Sequence, residues 1–383
     1  MKFLDGCALR LVFRAIALTL RAGLHSQPLL GRLHMKRVLT FLPAILAGAI
    51  FLQLGAQTRA TATNVPVIPH ESVPNFFKLP AGVYTGENMG IATNSRGHVF
   101  IFHRSGETRL YEYDEKGVFV KEIGRNNYGF AFAHSVRVDA QDNIWAVDEG
   151  TNMIIKFNPE GTKILMTIGR RPDPVNQTAN MPGNGGSTNA NKPYEFSRPT
   201  DVAFDAQGNI FVSDGYGDAR VAKYDKNGRF LKSAGTQGRG QDQLNLPHTM
   251  SADAQGNIYI GDRSNARVQV WDNDLKFKAS YTNVGSPWAV CVSGGPHQYL
   301  YVSNSWPDSA PAASVDSTGE IYKMELDGTI VGKFGKAGKA LGEFATTHQM
   351  DCRNPDIIYT AEINNWRSQK IILKPQAAKA GGQ

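Results

Sequence analysis

Three histidines each stand fourteen residues ahead of an acidic residue that closes an apolar, strand-like run: His134 before Asp148, His248 before Asp262 and His348 before Glu362. Imidazole binds divalent transition metals through a bare ring nitrogen, and three imidazoles with an open fourth position make a catalytic rather than a structural zinc set. Ligand type favours zinc over copper, manganese or iron, although histidine alone leaves the metal open. The bland alternative for each residue is a hydrogen-bonded histidine at a strand start. Two more residues fall where a strand returns toward the histidines: Arg104, directly after Phe102-His103, and Tyr216, in Ser213-Asp214-Gly215-Tyr216. Beside a metal they become a clamp for a substrate anion and an acid or base; away from one they are solvated loop residues.

These spacings gain their meaning from an internal repeat of about fifty residues, a period typical of propellers and solenoids. Residues 134–148, 200–214 and 248–262 align position for position. Each has an alternating apolar strand, a D-x-x-G/D-N turn and a second alternating strand ending in Asp, the pattern of a β-hairpin. A third strand, a turn and a fourth strand running into Gly follow, as in residues 154–169 and 221–235, so each repeat reads as a four-stranded propeller blade. More degenerate copies cover residues 89–124, 288–335 and 348–373, making six. The last copy lacks an outer strand, and residues 65–80, with Phe76-Phe77-Lys78-Leu79, are extended in pattern and could close the ring. The expected fold is therefore all-β, a six-bladed β-propeller of residues 63–375 followed by a tail at 376–383. An open β-solenoid suits four strands per repeat less well. The histidine register falls on blades two, four and six, about 120° apart around the axis, with Met89, Thr200 and Trp288 at the intervening positions. The acids that end strand two recur in blades with and without histidine, so they read as structural contacts.

Composition narrows the function. At 383 residues, 41% hydrophobic and 20% charged, the chain is neither disordered nor collagen-like. Its net charge of +7 arises in residues 1–62, which hold eight of the 41 basic and one of the 34 acidic residues, leaving 33 of each beyond. A basic balance confined to the amino end argues against nucleic-acid binding. From Met35 the chain reads Lys36-Arg37, an apolar run at 38–56, then Ala60-Thr61-Ala62, the layout of a secretory signal peptide, with an uncleaved membrane anchor through 38–56 as the rival. Residues 1–34 are an Arg-rich extension, either a transit peptide or codons upstream of a true start at Met35. The expectation is an exported protein, periplasmic or secreted, acting as a monomer on a small-molecule or peptide substrate. Cys291 and Cys352 lie in separate repeats without metal or redox spacing; they read as two buried thiols in preference to a disulfide. Residues 171–195 and 305–318 are long insertions of the kind that form lids or floppy loops.

The repeats resemble the NHL class of propellers over residues 85–373. Within that class, Ile101-Phe-His-Arg104, Ser213-Asp-Gly-Tyr216 followed by Arg220, and the three blade-start histidines resemble the peptidyl-α-hydroxyglycine α-amidating lyase family. The resemblance implies zinc ligands at His134, His248 and His348, an active-site arginine at Arg104 and an active-site tyrosine at Tyr216. It implies cleavage of the C–N bond of a peptidyl- or N-acyl-α-hydroxyglycine to an amide and glyoxylate, with zinc as Lewis acid. It also implies a structural Ca2+ on the main-chain carbonyls of Ile91 and Val136 and on an aspartate after the third histidine. Gln349 stands at that last position, which puts the calcium in doubt, and Gly217 stands where the family has a disulfide cysteine. The alternative function is a non-catalytic NHL scaffold binding a peptide, glycan or protein.

Overall fold

A computed structural model describes residues 65–171, 192–305 and 318–374. Over these residues the chain forms six four-stranded antiparallel sheets arranged as a six-bladed β-propeller, and the only helical element among them is the short 3-10 turn Arg263–Asn265. The inner strands are Glu87–Thr93, Ala133–Val138, Pro199–Phe204, Pro247–Ala252, Pro287–Val292 and Thr347–Asn354. Each packs on the next, and the sixth packs on the first. The ring closes with His70–Ser72, which pairs with Arg367–Leu373 as the outer strand of blade six. Closure falls earlier in residues 65–80 than the aromatic run at 76–79; Lys78 instead makes a parallel bridge to Val118 beside blade one.

The repeating turn has a local cause. Asp139, Asp205 and Asp253 each accept the backbone N–H groups two and four residues on, and a following Asn side chain donates back to the same carboxylate. The residue before that Asn is left-handed, with φ of +80° at Gly208 and +83° at Gly256, a conformation glycine adopts without steric cost. Asp142 adopts it too, so the degenerate D-x-x-D-N form of blade two folds alike. Alternation then buries one face of each strand between neighbouring blades. Trp145 and Ile154 of blade two pack with Val202, Val212 and Tyr224 of blade three, side chains whose burial is worth roughly 1.5–3 kcal/mol each.

The acids closing strand two carry the incoming loops. Asp148 accepts from the N–H groups of Ala131, Phe132 and Thr151, Asp214 from Ser197, Asp262 from Asn245 and Glu362 from Ala345. The reading of the cysteines as free thiols needs correction. Cys291 and Cys352 lie on adjacent inner strands of blades five and six, 6.1 Å apart at Cα, and form a disulfide. Residues 1–62, the centres of both insertions (172–191 and 306–317) and the tail at 376–383 lie outside the described residues.

Candidate metal centre

Each histidine is the second residue of its inner strand, Ala133–Val138, Pro247–Ala252 or Thr347–Asn354, at a position where the register with strand two shifts by one residue. All three side chains are fully buried, and their ligand atoms lie within 4.8 Å of one another. What aims them is the next blade but for one detail of chemistry. His134 Nδ1 lies 2.5 Å from Thr200 O, His248 Nδ1 2.7 Å from Trp288 O and His348 Nδ1 2.7 Å from Met89 O, the register-equivalent residue each time. A carbonyl can only accept, so Nδ1 carries the proton and Nε2 is left as a bare donor atom for a metal. Burial pushes all three imidazoles well below their usual pKa, with Arg104, Arg263 and the neighbouring histidines adding to the effect. Nε2 of His134 and of His348 makes no hydrogen bond. Three convergent unprotonated nitrogens, two of them without any hydrogen-bond partner, fit a divalent ion.

Around this cluster stand the residues at the exits of the second strands. Tyr216 Oη is 3.5 Å from His248 Nε2. Burial raises its phenol pKa, and the guanidinium groups of Arg263, Arg198 and Arg104 offset part of that rise. Arg104 stacks 3.6 Å from the Phe132 ring, donates through Nε to Glu87 at 2.8 Å and through Nη1 to Ala133 O at 3.3 Å. The site thus brings together His134, His248, His348 and Tyr216, with Arg104 close enough to depress His134 and His348.

Three further charged residues were not anticipated from sequence. Arg263 follows Asp262 at the exit of blade four; its guanidinium lies 4.0 Å from the Trp288 ring and 5.6 Å from that of Tyr216, and its buried Nη1 has no hydrogen-bond partner. Glu149 follows Asp148 at the exit of blade two and lies 3.7 Å from His134 Nε2. Arg198 donates to Glu149 at 3.0 Å and covers the Tyr216 ring at 4.3 Å, from a left-handed backbone position (φ +65°) held by Asn152. The exit-of-strand-two position that singled out Arg104 and Tyr216 would also have found Glu149 and Arg263; a left-handed arginine before Pro199 leaves no such signal.

The implied calcium position is built differently. Gln349 Oε1 accepts from the N–H groups of Ile91 (2.9 Å) and Val136 (3.1 Å), and its Nε2 donates to Val136 O at 2.9 Å. Arg137 forms a two-pronged pair with Asp201 and donates to the carbonyls of Met350 and Met250. Calcium needs six to eight oxygens, whereas these groups present amide and guanidinium N–H donors, so the residues do not fit that ion. Gly217, where the resemblance has cysteine, is packed so that a Cβ would fall 1.8 Å from Ser197 Oγ.

The NHL repeat family matches residues 244–271. A probable peptidyl-alpha-hydroxyglycine alpha-amidating lyase of Caenorhabditis elegans is 29% identical over 217 residues, covering 50% of this chain and 57% of that protein. Peptidyl-alpha-hydroxyglycine alpha-amidating lyase 1 of Drosophila melanogaster is 26% identical over 381 residues, covering 84% and 66%. NHL repeat-containing protein 3 of Homo sapiens is 26% identical over 308 residues, covering 76% and 80%. The match thus spans little more than half of the nematode lyase. Among solved structures, a putative gluconolactonase superimposes with a TM-score of 0.52 at 12% identity, covering 80% of this chain and 98% of that one, a likeness of fold alone. The chain is a six-bladed β-propeller whose residues 244–271 match the NHL repeat, and it is similar in sequence to proteins named peptidyl-α-hydroxyglycine α-amidating lyases.

Proposed function

We propose that the protein is a zinc-dependent lyase that cleaves the C–N bond of a peptidyl- or N-acyl-α-hydroxyglycine, releasing the amide and glyoxylate. The observation that carries this reading is the trio of carbonyl-tethered imidazoles with bare Nε2 atoms, next to a tyrosine hydroxyl 3.5 Å from one of them. His134, His248 and His348 hold the ion, which supplies Lewis acidity toward the substrate hydroxyl. Tyr216 takes the hydroxyl proton as its phenolate and returns it to the departing amide nitrogen. The balance closes without water or redox change: the O–H proton ends on nitrogen, the C–N pair leaves with nitrogen, and the carbinol carbon becomes an aldehyde. Arg263, with its free Nη1, and Arg104, beside the histidines, bind the substrate carboxylate. Their positive charge also favours the phenolate form of Tyr216, against the effect of burial.

Residues 35–62, with their signal-peptide layout, and the Cys291–Cys352 disulfide support an exported protein, periplasmic or secreted. The protein acts as a monomer on a diffusible peptide or small molecule. The test is glyoxylate release from an N-acyl-α-hydroxyglycine by the purified protein, before and after chelation. Metal-dependent release is the expected result. The similarity to NHL repeat-containing protein 3 favours a second reading, a binding propeller without catalysis, and zinc-loaded protein that acts on no α-hydroxyglycine would support it.

A further inference from the structure

Glu149 is a buried carboxylate with one oxygen committed and one bare. Its main-chain N–H donates to Phe132 O at 3.1 Å, which fixes the residue against the incoming loop of blade two. Oε1 accepts from Arg198 Nη2 at 3.0 Å and lies 3.6 Å from Arg104 Nη1. Oε2 accepts no hydrogen bond, and the residue is 3% exposed. The atom facing Oε2, 3.7 Å away, is His134 Nε2, which is also without a hydrogen-bond partner. Because Nδ1 of that ring is committed to Thr200 O, two bare acceptors confront each other in a buried site. Leaving both unsatisfied is costly, and an electropositive centre bound to the two would relieve it.

The separation agrees with that requirement. Two donors on one tetrahedral ion, with bonds of about 2.0–2.1 Å, stand roughly 3.3 Å apart, so a side-chain adjustment of a few tenths of an ångström brings Oε2 into range. The other carboxylates at this rim are not in the same position. Asp148, Asp214, Asp262 and Glu362 accept the N–H groups of incoming loops, and Glu87 is paired with Arg104.

We propose that Glu149 is a fourth protein ligand of the ion held by His134, His248 and His348, so that the resting site is a three-histidine, one-carboxylate set. This rests on the metal-centre reading above. An anionic ligand lowers the net charge of the filled site and tightens its hold on a dication. Arg198 and Arg104, already on the Oε1 side, give the carboxylate a place to swing to when a substrate oxygen takes its position.

The test compares zinc dissociation constants of the full chain and of Glu149→Gln, by competition with a chromophoric chelator at one pH, alongside visible spectra of the cobalt-loaded proteins. Glu149→Gln is expected to bind zinc about ten- to a hundredfold more weakly and to show altered cobalt bands. Glu149→Asp, which keeps the charge, is expected to recover part of the loss. Constants equal within about twofold and superimposable cobalt spectra would overturn the assignment while leaving the histidine site intact. Failure of the unsubstituted chain to bind zinc would overturn both.

Discussion

The inner strands of blades two, four and six each bring two neighbouring stretches to the propeller axis, and the two stretches are built in opposite ways. At the first stretch stand His134, His248 and His348, with Nε2 of His134 and His348, Glu149 Oε2 and Arg263 Nη1 all buried and without hydrogen-bond partners. One to three residues further along the same strands, Arg137 and the carbonyls of Met250 and Met350 form a network with Asp201, and Gln349 bridges the backbone of Ile91 and Val136 beside it. The network spends its polar groups on one another, while the histidine layer keeps its groups open. A satisfied buried network is what structure requires, and a set of convergent unsatisfied groups is what a ligand requires. Similar strands thus serve both ends, and hydrogen-bond accounting tells them apart better than burial, since most residues of both layers, Arg137 excepted, are buried.

Substitutions should separate the layers. The largest effect is expected from Tyr216→Phe and Arg104→Ala, which should each lower turnover about 10²- to 10⁴-fold while bound zinc stays nearly constant, measured as glyoxylate release beside metal content. Full activity in either variant removes the role assigned to that residue. Asp201→Ala should do the reverse. It leaves the Arg137 guanidinium without its carboxylate and is expected to cost about 3–5 kcal/mol in denaturant unfolding, with zinc affinity changed far less. Loss of zinc in proportion to stability would show that the two layers are one unit.

A double substitution probes the seam between blades five and six. Cys291→Ala with Cys352→Ala opens a closure across 61 residues and is expected to lower stability by about 4 kcal/mol on the chain-entropy account. A separate effect is that of pH on the metal-free protein. Its three site imidazoles are held neutral well below their usual pKa, and His103 is pushed down to about 4 by burial and by Arg109. Unfolded histidine takes a proton near pH 6.5, so the folded state binds fewer protons below that pH. Stability should therefore be full above about pH 6.5 and decline as pH falls toward the folded values, with the His103 share gone near 4. A flat unfolding free energy from pH 7 to 5 would contradict burial of neutral imidazoles.

Much of this was legible in the residues themselves. The D-x-x-G/D-N turn carries its own hydrogen bonds, so it marks each hairpin locally and sets the register that aligned the three histidines. Where the determinant is a contact between distant segments, the sequence was mute or misleading. Cys291 and Cys352 looked unrelated because adjacency of inner strands is a property of the closed ring, although both lie a few residues past the histidine register. Gln349 could be seen to replace an aspartate, but that its amide bridges Ile91 and Val136 across the axis could not. Arg198 reaches the site through a left-handed backbone that its residue type does not advertise.

The central claim is that three tethered imidazoles hold one ion. The most direct measurement is zinc content of the purified full chain and of variants carrying His134→Ala, His248→Ala or His348→Ala. One zinc per chain, lost in every variant while the fold is retained, is the expected result. Zinc retained by all three variants, or none in the unsubstituted chain under zinc-replete conditions, would contradict it.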